Sequence, residues 1–261
     1  MIIDSHCHLD FYRFDADRDA MIVRARGAGV KVMINAGDDL RSSLAGLELA
    51  QAYPFIFCTF GVHPNEATHW NKKVEAAFVA AVAEDRLSGD HNIVAIGEIG
   101  LDYYRNGAPK EVQKIVFREQ LHLSVRENLP VVIHCREAFE DTIAILKEEH
   151  IARAVFHCFD GSLDVAERIW ANGWLISFAA TVSYPKNEEL RRVVAACPSD
   201  RFMVETDAPF LPHQDVRGER NESCFLPRLV ETISALKHLS MAEVARNSTI
   251  AAQTFFGLIP G

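Results

Sequence analysis

Residues 1–10 read MIIDSHCHLD and decide between the two architectures open to this chain. Residues 2–7 form a short apolar run of strand length. An open doubly wound sheet would follow such a first strand with a glycine-rich phosphate-binding turn. SHCHLD follows instead, with two histidines and no glycine. A closed (β/α)8 TIM barrel carries its chemistry on polar side chains at the C-terminal ends of its strands, which is what this stretch offers.

Working outward, short apolar runs alternate with longer amphipathic ones along the chain. Strands are predicted over 2–7, 31–36, 56–61, 93–97, 131–134, 154–157, 174–177 and 202–205. Helices are predicted over 16–28, 40–52, 72–87, 110–127, 137–149, 163–171 and 187–196, with two more near 226–237 and 241–255. Gly27 and Gly29 close the first helix, Gly173 closes the sixth, and Pro130 follows the fourth. Ser240 with Glu243 reads as a capping box for the last. Strict alternation implies parallel strands joined by right-handed crossovers. Eight of them in 261 residues fit one (β/α)8 barrel domain spanning 1–261. No linker, internal repeat or low-complexity segment interrupts the pattern.

Composition narrows the setting. Hydrophobic residues make up 49% and charged residues 24%, as in a soluble globular protein. No window approaches the roughly 18 consecutive apolar residues of a membrane span, and no secretory leader opens the sequence. The six cysteines, at 7, 58, 135, 158, 197 and 224, form no C-x-x-C pair, and reduced thiols fit a cytoplasmic location. The formal net charge of -9 gives no global attraction for nucleic acid or an anionic membrane. That argues against a general nucleic-acid-binding module while leaving room for a nuclease.

The chemistry-bearing side chains fall at predicted strand ends. His6 and His8 end the first, His63 follows the third, Glu98 ends the fourth, His134 the fifth and His157 the sixth; Glu205 and Asp207 end the eighth. In a barrel these ends share one rim. His6 and His8, two apart on an extended segment, project the same way and suit one divalent ion. Alone, H-x-H also fits a pair of satisfied polar residues; the convergence of the other groups favours ligation. Glu98 sits between glycines among apolar residues, where an unpaired carboxylate is costly to bury. It reads either as a salt-bridged core group or as a carboxylate placing one oxygen on each of two metals. In the second reading His6, His8 and Asp207 lie on one side of it, with His134 and His157 on the other.

Cys7, Cys135 and Cys158 each neighbour a ligand candidate, so strand alternation turns their thiols toward the helices. Several residues keep two readings. His63 in FGVHP touches substrate or caps a loop; Arg136 holds a phosphate or pairs with Glu137. Tyr103, Tyr104 and Arg105 stack on a base and pair with backbone, or pack their loop. Residues 217–221, RGERN, read as a mobile polar loop, lining the mouth or simply solvated.

With DSHCHLD, GVHP, GEIGLDYY, QLHLSVRENLPVVIHCR, FHCFDGS and ETDAPFL together, the chain resembles the TatD family of metal-dependent deoxyribonucleases, within the amidohydrolase-like barrels. The resemblance covers nearly the whole sequence. It implies one metal held by His6, His8, Glu98 and Asp207 and a second by Glu98, His134 and His157. The wider group often bridges its metals with a modified lysine after the fourth strand; Glu98 stands there instead, which favours the TatD branch. Two stretches depart from the family pattern: Ser223 replaces a usual proline after RGERNE, and SFAATVSYPKN differs from the common S-F-S-G form. Both bear on substrate choice.

The expected protein is therefore a cytoplasmic hydrolase with two divalent ions (Mg, Mn or Zn). Water activated by the metals attacks phosphorus in line. Asp207 is the expected partner for the attacking proton, Glu205 orients a ligand histidine, and His63, Tyr104 and Arg136 meet substrate. The resemblance makes DNA the leading substrate, cut from a 3′ end with single strands preferred. Hydrolysis of a carboxylic ester or amide, such as an aminoacyl-tRNA, is the alternative, and a non-catalytic metal-binding scaffold a third. No obligatory protein partner and no membrane are implied.

Overall fold

The computed structural model describes residues 1–258. Eight strands follow one another in sheet order: β1 Ile2–Cys7, β2 Val30–Asn35, β3 Ile56–Phe60, β4 Ile93–Asp102, β5 Val131–Arg136, β6 Ala154–Phe156, β7 Leu175–Phe178 and β8 Phe202–Val204. β3 pairs with β4, β4 with β5, β5 with β6 and β7 with β8, all parallel. Between them run α1 Arg18–Gly27, α2 Leu40–Ala52, α3 Lys72–Ser88, α4 Lys110–Arg126, α5 Phe139–Glu148, α6 Leu163–Ala171 and α7 Glu188–Ala196. After β8 come α8 Leu226–Lys237 and α9 Met241–Phe256. This is the (β/α)8 barrel fold that the alternation predicts.

Local chemistry fixes the helix ends. The Asn71 side chain accepts the Lys73 and Val74 amides at the start of α3, and Gly89 ends it at φ 80°. The Ser240–Glu243 capping box forms at α9 as expected. Asp39 and Ser42 build a second one on α2.

The described chain divides into two compact units, residues 1–34 with 157–258 and residues 35–156. In the first, Ile3, Met21, Ile169, Phe178, Phe202, Ile233 and Val244 are fully buried. In the second, Phe60, Phe78, Ile96, Leu121, Ile133 and Leu146 are. Burying each such side chain stabilises its unit by about 1.5–3 kcal/mol.

β4 departs furthest from the sequence reading. β4 continues past residue 97 to Asp102, so Glu98 lies mid-strand rather than at its end. The register against β5 shifts between Ile96 and Ile99, and from there Gly100 stands opposite His134 and Asp102 opposite Arg136. Gly100 has φ +143°, and a Cβ there would meet the His134 carbonyl oxygen at 2.0 Å. Only glycine permits that close approach and lets the strand run on.

Candidate metal centre

In the first unit, β1 and the segment after β8 carry three of the six predicted ligands, His6, His8 and Asp207, and the turn after β6 carries a fourth, His157. The Asp207 amide donates to the His6 carbonyl at 3.0 Å, and the His8 amide donates to the Ala208 carbonyl at 2.8 Å. These bonds bring Asp207 alongside both histidines. Asp4, buried on β1, tightens the same seam by accepting the Thr206 amide (2.9 Å) and hydroxyl (2.6 Å). Burial lifts the Asp4 carboxyl to about 6, against those hydrogen bonds.

The His6 and His8 Nε2 atoms lie 3.3 Å apart. Asp207 Oδ1 lies 3.4 Å from His8 Nε2 and 3.8 Å from His6 Nε2. An ion about 2.1 Å from each of three such donors leaves them roughly 3.0–3.5 Å apart, so the set fits a divalent metal. Burial raises the Asp207 carboxyl, but the hydrogen bond from His8 and the charges of His8, His6 and His157 more than reverse it. It stays below the ordinary carboxylate range. Asp207 also holds φ 54°, a left-handed conformation that aspartate tolerates better than most residues. His157 stacks on His6 with ring centroids 4.0 Å apart. Its Nδ1 faces Glu205 Oε1 at 3.4 Å.

The second unit gathers Glu98 and His134 with two residues of other standing. His134 Nδ1 lies 2.6 Å from Glu98 Oε1, and its Nε2 lies 3.2 Å from Asp102 Oδ2. His63 Nε2 lies 3.5 Å from the same Glu98 oxygen, and its ring meets His134 edge-on at 4.3 Å. His63, Asp102 and His134 thus offer a second three-donor cluster. Of the two readings of His63 the loop cap is seen: its Nδ1 accepts the Asn65 amide at 3.1 Å. That acceptor role puts the neutral ring's proton on Nε2, toward Glu98.

Asp102 was not singled out from sequence. It is 1% exposed, and its Oδ1 accepts the Tyr104 and Arg105 amides at 3.0 and 2.9 Å. Burial raises its carboxyl, but His134, the Arg105 amide and Asn65 hold it well below the usual range. The available signal was period: Asp102 is four residues beyond Glu98 in an extended run and therefore on the same face.

Arg136 and Tyr104 meet each other. The guanidinium lies over the Tyr104 ring at 3.8 Å from its centroid, and the ring is 57% exposed. Tyr103 packs its loop instead, its hydroxyl donating to Asp141 at 2.6 Å.

Three expectations are corrected. Cys135 turns toward α5, with Sγ 3.3 Å from the Thr142 hydroxyl, but Cys158 lies past the end of β6 at φ 44°, where strand alternation no longer applies. The 217–221 loop is pinned rather than mobile: Arg220 donates to Asp17 and Glu222, and buried Asn221 donates to the Thr206 and Phe210 carbonyls. Glu205 and His157 sit just beyond strands that end one residue early.

Fold and site together define a (β/α)8 protein with histidine–carboxylate clusters suited to divalent metal. The family described as TatD related DNase matches residues 3–257, and the chain belongs to that family. An uncharacterized metal-dependent hydrolase, YabD of Bacillus subtilis, is 35% identical over 258 residues, covering 98% of this chain and 99% of that one. A protein named 3′-5′ ssDNA/RNA exonuclease TatD, from Erwinia tasmaniensis, is 37% identical over 265 residues, covering 98% and 100%. Among solved structures, the TatD homologue YjjV of Escherichia coli K12 superposes with a TM-score of 0.93 at 31% identity, covering 99% and 98%.

Proposed function

We propose that this chain is a metal-dependent 3′–5′ exonuclease acting on single-stranded DNA or RNA, one hydrolase domain working in the cytoplasm. The observation that carries the reading is the His6–His8–Asp207 cluster, three donor atoms 3.3 to 3.8 Å apart, in a chain of this family. The names of relatives such as the Erwinia exonuclease supply the substrate class. The cytoplasmic placement rests on six cysteines none of which is in a disulfide.

Two divalent ions are proposed. His6, His8 and Asp207 would hold one in the first unit, and Glu98 and His134 would contribute to the other in the second. When bound, such ions supply Lewis acidity toward a phosphoryl oxygen and make water a stronger nucleophile near neutral pH.

The residues do the rest. Asp207, kept ionised, accepts the proton of the attacking water. Glu205 holds the His157 ring in place. His63 presents its Nε2 proton to a phosphoryl oxygen, and the Arg136–Tyr104 stack offers a cation and a ring face to the strand. Asp102 fixes the turn that carries Tyr104.

The test is a metal-reconstituted assay against end-labelled single-stranded DNA, RNA and a panel of carboxylic esters. Metal-dependent release of nucleotides is expected; turnover of an ester with no nucleic-acid cleavage would move the activity to that class.

A further inference from the structure

The first unit carries an aromatic ledge that none of the functional assignments uses. Phe210, three residues past Asp207, meets the His8 ring edge-on at 5.9 Å. Phe11 packs edge-on against Phe210 at 5.2 Å, and Tyr12 lies tilted against Phe11 at 4.6 Å. Three rings thus run in a row from a metal-ligand histidine outward. Tyr12 is 71% exposed and Phe210 38%.

The ledge is rigid. The Phe11 amide donates to the His8 carbonyl, and Arg18 donates to the Leu9 and Asp10 carbonyls, tying the loop to the end of β1. Phe14, fully buried beneath the Arg220 guanidinium, anchors the 3-10 turn at Tyr12–Phe14. On the other side, the Phe210 amide donates to the Asp207 carbonyl, and Asn221 binds the Phe210 carbonyl at 2.7 Å. Covering His8 needs one ring. The exposed faces of Tyr12 and Phe210, on segments tied down by these bonds, leave apolar surface in water that a bound ring would cover.

We propose that Phe11, Tyr12 and Phe210 form a stacking platform for an unpaired base of the single strand whose phosphate is presented to the His6–His8–Asp207 cluster. This rests on the exonuclease reading and deepens it: a π-face contact tolerates every base but excludes one already paired in a duplex. The platform therefore supplies single-strand preference without a broad basic surface, as a chain of net charge -9 requires.

The experiment uses the metal-loaded protein and oligonucleotides with one 2-aminopurine at each of the last four 3′ positions, end-blocked with phosphorothioate. Fluorescence quenching on binding reports stacking. Quenching at one or two positions is expected in the wild type, lost in Tyr12→Ala and Phe210→Ala and retained in Tyr12→Phe and Phe210→Trp. On unblocked single strands the alanine pair together should raise KM about tenfold to a hundredfold. Quenching absent from every position, or unchanged in the double variant, overturns the platform. Tyr12 is exposed enough that its alanine variant keeps the comparison open if Phe210→Ala misfolds. A wild type that stacks the base yet releases no nucleotide keeps the platform and sinks the exonuclease reading. One that releases nucleotides with the same KM in all variants does the reverse.

Discussion

His157 Nδ1 lies 3.4 Å from Glu205 Oε1, and that carboxylate is fixed from two other directions. Its Oε1 accepts the Cys158 amide at 2.7 Å, while Oε2 takes the Ser177 hydroxyl. A buried carboxylate so held would keep a proton on the facing ring nitrogen and, in the proposed centre, leave Nε2 as the donor to a metal. Glu205→Gln is expected to lower metal affinity or activity about 10- to 100-fold with the fold intact. Metal titration beside circular dichroism checks it; unchanged affinity would reduce Glu205 to a structural role.

Glu98→Gln is expected to retain one equivalent of metal and lose the second. His6, His8 and Asp207 keep their three donors, whereas the variant replaces the carboxyl group 2.6 Å from His134 Nδ1 with an amide. Elemental analysis after dialysis reads the outcome. Two full equivalents in the variant would remove Glu98 from the ligand set.

How much of this was legible in the sequence follows from what fixes each part. The eight-fold alternation is written in hydrophobic period, and six site candidates stood at or near strand ends. The length of β4 was not, because Gly97 and Gly100 looked like a strand's end when they are what lets β4 pass close to β5. That error hid Asp102, which the longer strand carries to His134. The 217–221 loop was misread because its order comes from Asp17 and Glu222, one of them about two hundred residues away in sequence. Long-range ion pairs leave no periodic trace.

Cys7→Ala and Cys135→Ala should each cost about 1 kcal/mol through a small cavity and keep most activity. Cys7 is buried with Sγ 3.3 Å from the Ile34 carbonyl, and Cys135 faces Thr142. An inactive but folded, metal-loaded Cys135→Ala protein would overturn that placement.

Glu222 joins Arg24 and Arg220, which also share Asp17. Burial pushes its carboxyl up, but the hydrogen bonds from Arg24 and Arg220 bring it below the ordinary range. A carboxylate depressed in the folded state contributes stability that is present above its unfolded value and lost as pH falls through the folded one. Glu222→Gln should therefore cost about 1–2 kcal/mol near neutral pH, discounted for the partly exposed arginines. The gap from wild type should close on acidification. Denaturant melts at several pH values measure it; a gap that stays constant into acid would show that packing, not charge, holds the loop.

Substrate form gives the last prediction. The proposed ligands His6 and His8 stand at the end of β1, with His157 just beyond β6 and Asp207 just beyond β8, and a flexible strand end reaches such strand ends more easily than the middle of a stiff duplex does. Single-stranded linear DNA should be degraded faster than duplex, and circular single strands should resist. Chelation should abolish release, with magnesium, manganese or zinc restoring it to different degrees. A chain of net charge -9 neutralises few phosphates itself, so log KM should rise only shallowly with log salt. Tyr104→Ala and Arg136→Ala should raise KM severalfold while leaving metal content near that of the wild type, since their stack stands outside the donor set. End-labelled and circular substrates in one salt series decide the matter. Circular DNA cut as fast as linear would exclude an end-directed enzyme, and a steep salt slope would call for a basic track that the overall charge does not provide.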